Sequence, residues 1–434
     1  MDKMADVLGR AGAWCGQNKY LSAIKNAFQN FMPLTIAGAI GVLWCNVLVN
    51  ESTGLGIFFK PIMALEFLNP AFQAVNFCTI SCITVGITLG IAQEIGVWNM
   101  GAEKAGYIPG LVGLAAWLSV TNTSHMVEGA KDAFTGIAGN ELGATGLFTG
   151  MIIGVLSVEL FCFFEKQDAL KIKMPEQVPP GVARAFEVLV PATITLIITA
   201  CIGSACYNLT GLYLNDVIKN GIQGPLGAVG ATIPGVMIIY LVIMLFWLVG
   251  IHGNNMLSAV KEALFTPLAL ENVEKFNKGE KPTNIINMYF LQMCGEFGGS
   301  GVTIGLVIAI MIFGKREDNK AIAGLSLVPG LFNINETVTF GIPMVLNPIL
   351  GIPFVVAPLV TILVGYVLTV IGFCPVACLT VPWTTPPIVF GFLATGANVM
   401  GAVTQAILIV VSTVIYVPFL IAYEKYQNKQ AAEA

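Results

Sequence analysis

Long apolar runs separated by short polar segments make up most of this 434-residue chain. An α-helix needs about 20 apolar residues to cross the hydrocarbon core of a bilayer. Nine runs reach or nearly reach that length, so the pattern predicts an all-α polytopic membrane protein. The nine runs are 31–50, 71–92, 107–122, 144–164, 184–207, 229–250, 287–314, 346–372 and 399–423.

A tenth candidate span, residues 253–270, contains Lys261 and Glu262 and fails on hydropathy alone. If it spans, the segments on one side hold 14 lysines and arginines, and those on the other side hold 6. That asymmetry satisfies the positive-inside rule with both termini in the cytoplasm. Without this crossing, either the Lys315–Arg316 cluster or the lysine-rich loop 166–173 would be outside. We therefore expect about ten spans.

Two further stretches, 321–345 and 373–398, are apolar but repeatedly interrupted by proline and glycine. Non-helical backbone at membrane depth has to be covered by protein or line a wet cavity. We expect both to be re-entrant hairpins, with ordinary kinked helices as the alternative. The expected organisation is a cytoplasmic segment 1–30, a five-span block 31–210 for dimerisation, an outer connection 211–228, a substrate-binding transport block 229–423 and a cytoplasmic tail 424–434.

A stripe of small residues marks one of the predicted spans. Gly146, Gly150 and Gly154 recur every four residues, a spacing that lets two helices approach closely. The stripe fits a subunit interface and packing within the chain equally well.

Composition narrows the class of protein further. Hydrophobic residues make up 56% of the chain and charged residues 11%, which is typical of a helical membrane protein. The formal net charge of −4 argues against a surface that binds nucleic acid. GxxxxGK[ST], HExxH and GxSxG are absent, so no ATP-driven motor is built in and an intramembrane hydrolase is disfavoured. The ten cysteines form neither a disulfide framework nor a zinc pattern, and we expect no metal and no cofactor.

The few ionisable groups inside apolar segments are the first candidates for chemistry. His252 lies in GIHGNN, at the end of the 229–250 run, where a neutral imidazole can both donate to and accept from a sugar hydroxyl. A structural histidine at a helix end is the alternative. Glu336 lies in FNINETVTFGIP between apolar residues, and its carboxylate can accept a proton from a hydroxyl under attack. Asn333 and Asn335 beside it supply orienting amides, with a helix cap as the alternative.

Weaker candidates surround these two. Trp383 in VPWTTPP offers a flat face to a sugar ring and Thr384 a hydroxyl, although an interfacial anchor explains the tryptophan as well. Gly299 in GGSG allows either a ligand or a second helix to approach. Asn140 is a further polar candidate, and Glu296 beside GGSG is interpreted as a marker of the membrane boundary.

Several motifs together resemble one known family. GIHGNN, FTPLALEN, GGSGVTIGL, FNINETVTFGIPMVLNP and VPWTTP, with KNAFQNFMPLTIAGAI near the amino terminus, occur in order over almost the whole chain. They are similar to the EIIC membrane subunit of the lactose/cellobiose/chitobiose family of the bacterial phosphotransferase system. The resemblance implies a homodimer with ten spans per protomer, and re-entrant hairpins around a buried sugar site.

The resemblance also assigns roles to residues. Residues that match His252 and Glu336 bind the sugar, the glutamate close to the hydroxyl that becomes phosphorylated. Asn335 and Trp383 fall in motifs that line that site, and Asn140 matches a position that is often a polar contact. Asn254 and Asn255 depart from the small or apolar residues of many relatives, which bears on substrate identity. The expected site therefore has Glu336 as its catalytic residue and His252, Asn335, Asn333, Trp383, Thr384, Asn140, Asn254 and Gly299 as substrate-binding residues.

The expected function is group translocation in the bacterial cytoplasmic membrane. A β-linked disaccharide of the cellobiose or diacetylchitobiose type is phosphorylated on its 6-hydroxyl by a phosphorylated EIIB subunit, expected to be a separate polypeptide. An ion-coupled sugar transporter without phosphorylation is the main alternative, since it also places a carboxylate and broken helices near the midplane. An intramembrane enzyme acting on lipid is a third possibility and lacks a nucleophile motif.

Overall fold

A computed structural model describes residues 10, 14, 17–51, 56, 59–125, 134–175, 177–342 and 344–433. Regular structure in this part of the chain is almost entirely helical, and the expected all-α fold is confirmed. Much of the expected cytoplasmic segment 1–30 lies outside the described residues, and the first long helix already begins at Lys19.

The α-helices are, in chain order, α1 (Lys19–Leu43), α2 (Asn69–Asn76), α3 (Ile83–Met100), α4 (Ala102–Ala105), α5 (Ile108–Val120), α6 (Gly139–Leu142), α7 (Ala144–Glu165), α8 (Pro180–Thr210), α9 (Leu214–Ile218), α10 (Gly224–Gly230), α11 (Ile233–Leu248), α12 (Gly253–Met256), α13 (Ser258–Asn277), α14 (Met288–Gly295), α15 (Ile304–Phe313), α16 (Glu317–Leu331), α17 (Glu336–Gly341), α18 (Gly351–Val370), α19 (Val389–Ala394) and α20 (Val399–Glu433). Short 3-10 segments are Lys60–Leu68, Asp168–Leu170 and Ser300–Val302, and π-helical turns are Trp44–Leu48, Phe77–Ser81 and Lys219–Gln223. Strands β1 (Ser124–His125) and β2 (Phe134–Thr135) form an antiparallel pair in which Ser124 faces Thr135.

The chain divides into two compact units. The first unit contains Gln17–Ala37 and Asn76–Ala228, and the second contains Gly38–Val75 and Val229–Ala434. The expected roles of the blocks 31–210 in dimerisation and 229–423 in substrate binding and transport stay predictions.

In the first unit, α3 and α7 pack closely because the glycine stripe of α7 faces α3. A β-carbon at Gly150 would lie 2.2 Å from Thr88 Oγ1, and one at Gly154 would lie 3.1 Å from the Thr88 carbonyl oxygen. The Thr84 hydroxyl adds a hydrogen bond of 2.7 Å to the carbonyl of Gly143. The stripe at Gly150 and Gly154 therefore serves packing within the chain.

In the second unit, α15 and α18 both pack against α20. A β-carbon at Gly305 of α15 would lie 2.3 Å from Ser412 Oγ of α20, so these two helices come into contact at their backbones. The fully buried Tyr416 of α20 also donates a 2.8 Å hydrogen bond to the carbonyl of Gly301. The long carboxy-terminal helix thereby fixes the glycine-rich segment between α14 and α15.

By length and composition, five of the described helices are able to cross a membrane, or seven spans if each bent pair of helical segments counts as one. The pairs are Lys60–Ser81 with Ile83–Met100, bent by 42°, and Met288–Val302 with Ile304–Phe313, bent by 59°. The predicted runs 71–92 and 287–314 are thus interrupted where we expected continuous helices. The tenth candidate, 253–270, is divided between the short helix α12 and the first part of α13. Helix α13 does not meet the same criterion, and the total of ten spans stays a prediction.

The two interrupted stretches differ in structure. Residues 321–345 contain most of α16 and all of α17, which contact each other across the turn formed by residues 332–335. Residues 373–398 have no regular secondary structure before α19. The first stretch is therefore a helical hairpin. The second is irregular but also folds back on itself, because the N–H groups of Cys378 and Leu379 both donate to the carbonyl of Ala394. The re-entrant position of both stretches in the membrane stays a prediction.

Candidate functional site

His252 lies in the second unit, at the junction between α11 and α12. Its Nδ1 accepts a 3.2 Å hydrogen bond from the backbone N–H of Asn255, which caps α12. The ring packs against Trp247 with centroids 4.4 Å apart. Because Nδ1 is an acceptor, a neutral ring carries its proton on Nε2. Nε2 has no hydrogen-bond partner among the described residues, so it can donate to a ligand even though the other nitrogen serves as a cap.

A buried ion pair lies close to His252. The Lys261 ammonium, in the first turn of α13, pairs with the carboxylate of Glu296 and also donates to Asn254 Oδ1 at 3.2 Å. The Tyr240 hydroxyl donates to the same Glu296 oxygen at 2.8 Å. Asn254 Nδ2 in turn donates to Ser300 Oγ at 2.9 Å. These contacts join α11, α12, α13 and the segment after α14.

The GGSG segment bends sharply because its glycines adopt left-handed backbone conformations. The φ angles are +68° at Gly298, +89° at Gly299 and +77° at Gly301. A β-carbon at Gly299 would lie 2.6 Å from the Cβ of Asn335. The sequence left open whether Gly299 allows a ligand or another part of the protein to approach. The contact with Asn335 favours close packing within the protein.

The two asparagines of the NINE motif are tied to backbone groups. Asn333 Nδ2 donates to the carbonyls of Trp383 and Thr385 at 2.5 and 3.1 Å, and its Oδ1 accepts from the N–H of Gly298 at 2.6 Å. Asn335 is 4% exposed, and its Nδ2 donates to the carbonyl of Ser300 at 2.7 Å. The turn before α17 is therefore connected to both the GGSG segment and the irregular segment 373–398.

Glu336 differs from its neighbours because its carboxylate is free. It is the first residue of α17, it is exposed, and no residue in the described part of the chain forms a hydrogen bond or ion pair with its side chain. Hydrogen bonds link its neighbour Asn335 to Ser300 and Ser300 to Asn254, which lies in the short helix that His252 caps. An unpartnered acid and an unpartnered imidazole nitrogen thus belong to the same unit and are connected through Asn335, Ser300 and Asn254.

The remaining predicted residues fall into two groups. Trp383 is 44% exposed and Thr384 is half-buried, both in the irregular segment that Asn333 holds. The second unit thus brings these two together with His252, Asn254, Gly299, Asn333, Asn335 and Glu336. Asn140 belongs to the first unit, where it is exposed in α6, and its contact with a sugar stays a prediction.

Sequence reasoning missed four residues of this site: Lys261, Glu296, Tyr240 and Ser300. Lys261 served only as an argument about span number, and Glu296 was interpreted as a boundary marker. The signal was present, since a charged residue inside an apolar run usually has a partner of opposite charge. What the sequence could not show is that the partner is 35 residues away along the chain.

Comparison with known proteins gives consistent matches along the chain. A family model described as "Phosphotransferase system, EIIC" matches residues 25–358. The oligo-beta-mannoside-specific EIIC component of Bacillus subtilis (strain 168) is 34% identical over 429 residues, covering 98% of this chain and 94% of that protein. The cellobiose-specific EIIC component of Lactococcus lactis subsp. lactis (strain IL1403) is 30% identical and covers 98% of both chains. Among solved structures, the transporter ChbC, the IIC component from the N,N'-diacetylchitobiose-specific phosphotransferase system, aligns with a TM-score of 0.88 at 29% identity over 97% of each chain.

Proposed function

Because this chain belongs to the EIIC family of the phosphotransferase system, we propose that it moves a β-linked disaccharide across the bacterial cytoplasmic membrane while a separate phosphorylated EIIB subunit phosphorylates the sugar. The family makes the chain a multi-pass membrane sugar permease. The relatives' names give oligo-beta-mannosides, cellobiose and N,N'-diacetylchitobiose, and we propose a substrate of the cellobiose or diacetylchitobiose type.

The observation that carries the proposal is the free carboxylate of Glu336 in the same unit as the free Nε2 of His252, with Asn335, Ser300 and Asn254 linking the two by hydrogen bonds. A disaccharide is neutral and rich in hydroxyl groups, so it needs separate donors and acceptors rather than a charge. The Nε2–H of His252 supplies a donor, and the Glu336 carboxylate supplies an acceptor. The exposed face of Trp383 supplies an apolar surface for the C–H side of a sugar ring.

Phosphoryl transfer depends mainly on positioning and on the stabilisation of charge. In the proposed reaction, Glu336 accepts the proton of the sugar 6-hydroxyl as that oxygen attacks the phosphorus atom. His252 fixes the ring by hydrogen bonding, while EIIB supplies the phosphoryl group. Asn333 and Asn335 act on the site through the backbone, because their amides are already used to join its segments.

Glu336→Gln tests this assignment. The amide keeps the shape of the side chain but cannot accept a proton, so we expect the variant to fold and to form no 6-phosphodisaccharide above background. The measurement is conversion of labelled cellobiose in membrane vesicles supplied with phosphorylated EIIB. Glu433→Gln, a change at an exposed carboxylate in the tail, is the matched control. Wild-type turnover in Glu336→Gln would remove the glutamate from the reaction.

The same vesicles separate the proposal from an ion-coupled sugar transporter. Without EIIB, group translocation accumulates no sugar, whereas an ion-coupled transporter accumulates unmodified disaccharide when a proton or sodium gradient is imposed. Gradient-driven uptake of free sugar in the absence of EIIB would favour the alternative.

The proposal extends to assembly and orientation. By its resemblance to the family, the protein forms a homodimer through the block 31–210, with both termini in the cytoplasm and the block 229–423 carrying the sugar. Light scattering of the purified protein in detergent measures the oligomeric state. Labelling of cysteines introduced near each terminus in intact cells tests the orientation.

A further inference from the structure

Lys261 is a buried cation that the proposed sugar contacts do not use. At 6% exposure, it is the only lysine or arginine among the described residues that is buried. Burial of an ammonium group is costly, and Lys261 is stabilised by Glu296 and by Asn254 Oδ1. The side chain of Glu296 keeps 20% of its surface exposed, so the ion pair borders an accessible region.

The ion pair belongs to the same site as the free acid and imidazole. The Lys261 ammonium group donates to Asn254, which lies two residues after His252. A chain of hydrogen bonds also runs from Lys261 through Asn254 to Ser300. The carbonyl of Ser300 accepts from Asn335, the residue before Glu336. Hydrogen bonds thus connect Lys261 to Asn254 and, through Ser300, to Asn335, and both asparagines are residues of the proposed sugar site.

The phosphoryl group requires a cation that stabilises its negative charge, and neither His252 nor Glu336 supplies one. Glu336 is negative, and the pair formed by Lys261 and Glu296 has no net charge. A neutral disaccharide fits these surroundings, but a phosphoryl group carries about two negative charges. A phosphoryl group close to a carboxylate of the same sign of charge is disfavoured, whereas a flexible ammonium group stabilises it.

We propose that Lys261 leaves Glu296 to bind the phosphoryl group during transfer, and that it holds the phosphate of the product. This inference rests on the proposed function. In the step, the bond between phosphorus and the phosphorylated side chain of EIIB breaks, and that side chain keeps the electron pair. The sugar O6 forms the new bond to phosphorus, its proton passes to Glu336, and Lys261 changes no covalent bond.

Tyr240 makes the exchange feasible. Its hydroxyl donates to Glu296 at 2.8 Å independently of Lys261, so the carboxylate keeps one hydrogen bond when the ammonium group moves away. Asn254 lies between the two positions, because its Oδ1 accepts from Lys261 and its Nδ2 bonds to Ser300. In this proposal the resting ion pair keeps the Lys261 ammonium group close to Asn254 until the phosphoryl group arrives.

The double variant Lys261→Gln/Glu296→Gln tests the inference. It removes both charges together and avoids a buried carboxylate without a partner, which the single Lys261→Gln variant would create. We expect the double variant to lose less affinity for cellobiose than for cellobiose 6-phosphate, because Asn254 keeps its hydrogen bond to Ser300. We expect its affinity for cellobiose 6-phosphate to fall at least tenfold, and phosphorylation by phospho-EIIB to slow at least 100-fold. Lys261→Arg keeps the cation and is expected to lose less affinity for the 6-phosphate than the double variant.

The single variant Glu296→Gln gives an independent test that does not require the loss of Lys261. It removes the charge of the carboxylate while the amide oxygen still accepts a hydrogen bond, so the ammonium group is held more weakly and keeps a partner. The ratio of affinities for cellobiose 6-phosphate and cellobiose should therefore rise at least threefold, as measured by calorimetry. A purely structural ion pair predicts no rise in that ratio. An unchanged ratio, or phosphorylation by the double variant within threefold of the wild type, would overturn the role of Lys261. Absence of phosphorylation by the wild-type protein would instead contradict the proposed function.

Discussion

Replacing Asn333 by alanine removes three hydrogen bonds from the turn between α16 and α17. The bond to the Trp383 carbonyl is exposed, so water can replace it at little cost. The bonds to the Thr385 carbonyl and from the Gly298 N–H are partly buried, and each contributes about 0.5 to 1.5 kcal/mol. Asn333 also has a φ of +63°, which alanine adopts at a cost of about 1 kcal/mol. The sum predicts a destabilisation of about 2 to 4 kcal/mol.

Unfolding of the purified variant in mixed micelles of increasing SDS fraction measures this loss, and calorimetry with cellobiose measures the site. We expect weaker sugar binding as well, because the segment that carries Trp383 loses its anchor. Asn208→Ala is the control, since that exposed amide only approaches Ser204 Oγ at 3.5 Å. If Asn333→Ala unfolds at the same SDS fraction as Asn208→Ala and binds cellobiose equally well, the turn does not depend on the Asn333 amide.

Three further substitutions test separate parts of the structure. His252→Ala removes the free Nε2 donor and should weaken cellobiose binding by about 1 to 3 kcal/mol, or roughly 5- to 150-fold by calorimetry, whereas His125→Ala in the first unit should not. Gly150→Ala places a methyl group against Thr88 and should lower the unfolding free energy by about 1 to 3 kcal/mol in the SDS assay, while Gly181→Ala, with open space around it, should change it by less than about 0.5 kcal/mol. Glu424→Ala removes a buried carboxylate that accepts from the N–H groups of residues 315 and 316, so proteolysis of the loop before α16 should become faster, and an unchanged rate would contradict that anchoring role.

The sequence predicted the helices of this fold well where one apolar run corresponds to one helix. The runs 107–122, 144–164 and 399–423 correspond to α5, α7 and α20, because hydropathy and length act locally. The break after α14 was not predicted. It depends on three left-handed glycines whose surroundings, such as Phe354 against Gly301, come from distant parts of the chain.

In the candidate site, too, the features that depend on local sequence were predicted and those that depend on distant residues were not. Composition and motif singled out His252 and Glu336, since a polar group inside an apolar stretch is visible in the sequence itself. Whether such a group is free or already bonded is decided by residues far away. Asn333 and Asn335 looked as available as Glu336, yet their partners lie 35 to 52 residues away, and the amides are occupied by backbone groups.

This difference between neighbouring residues has a chemical consequence. The amides of Asn333 and Asn335 satisfy backbone groups of the irregular segment and of the GGSG bend, so a sharp turn can form there without leaving those groups unbonded. Because the asparagines make those bonds, the Glu336 carboxylate at the start of α17 remains free to meet a ligand. An asparagine at position 336 would preserve the turn but supply no proton acceptor. The two amides of the motif therefore serve structure, while its single acid is the group available for the proposed reaction.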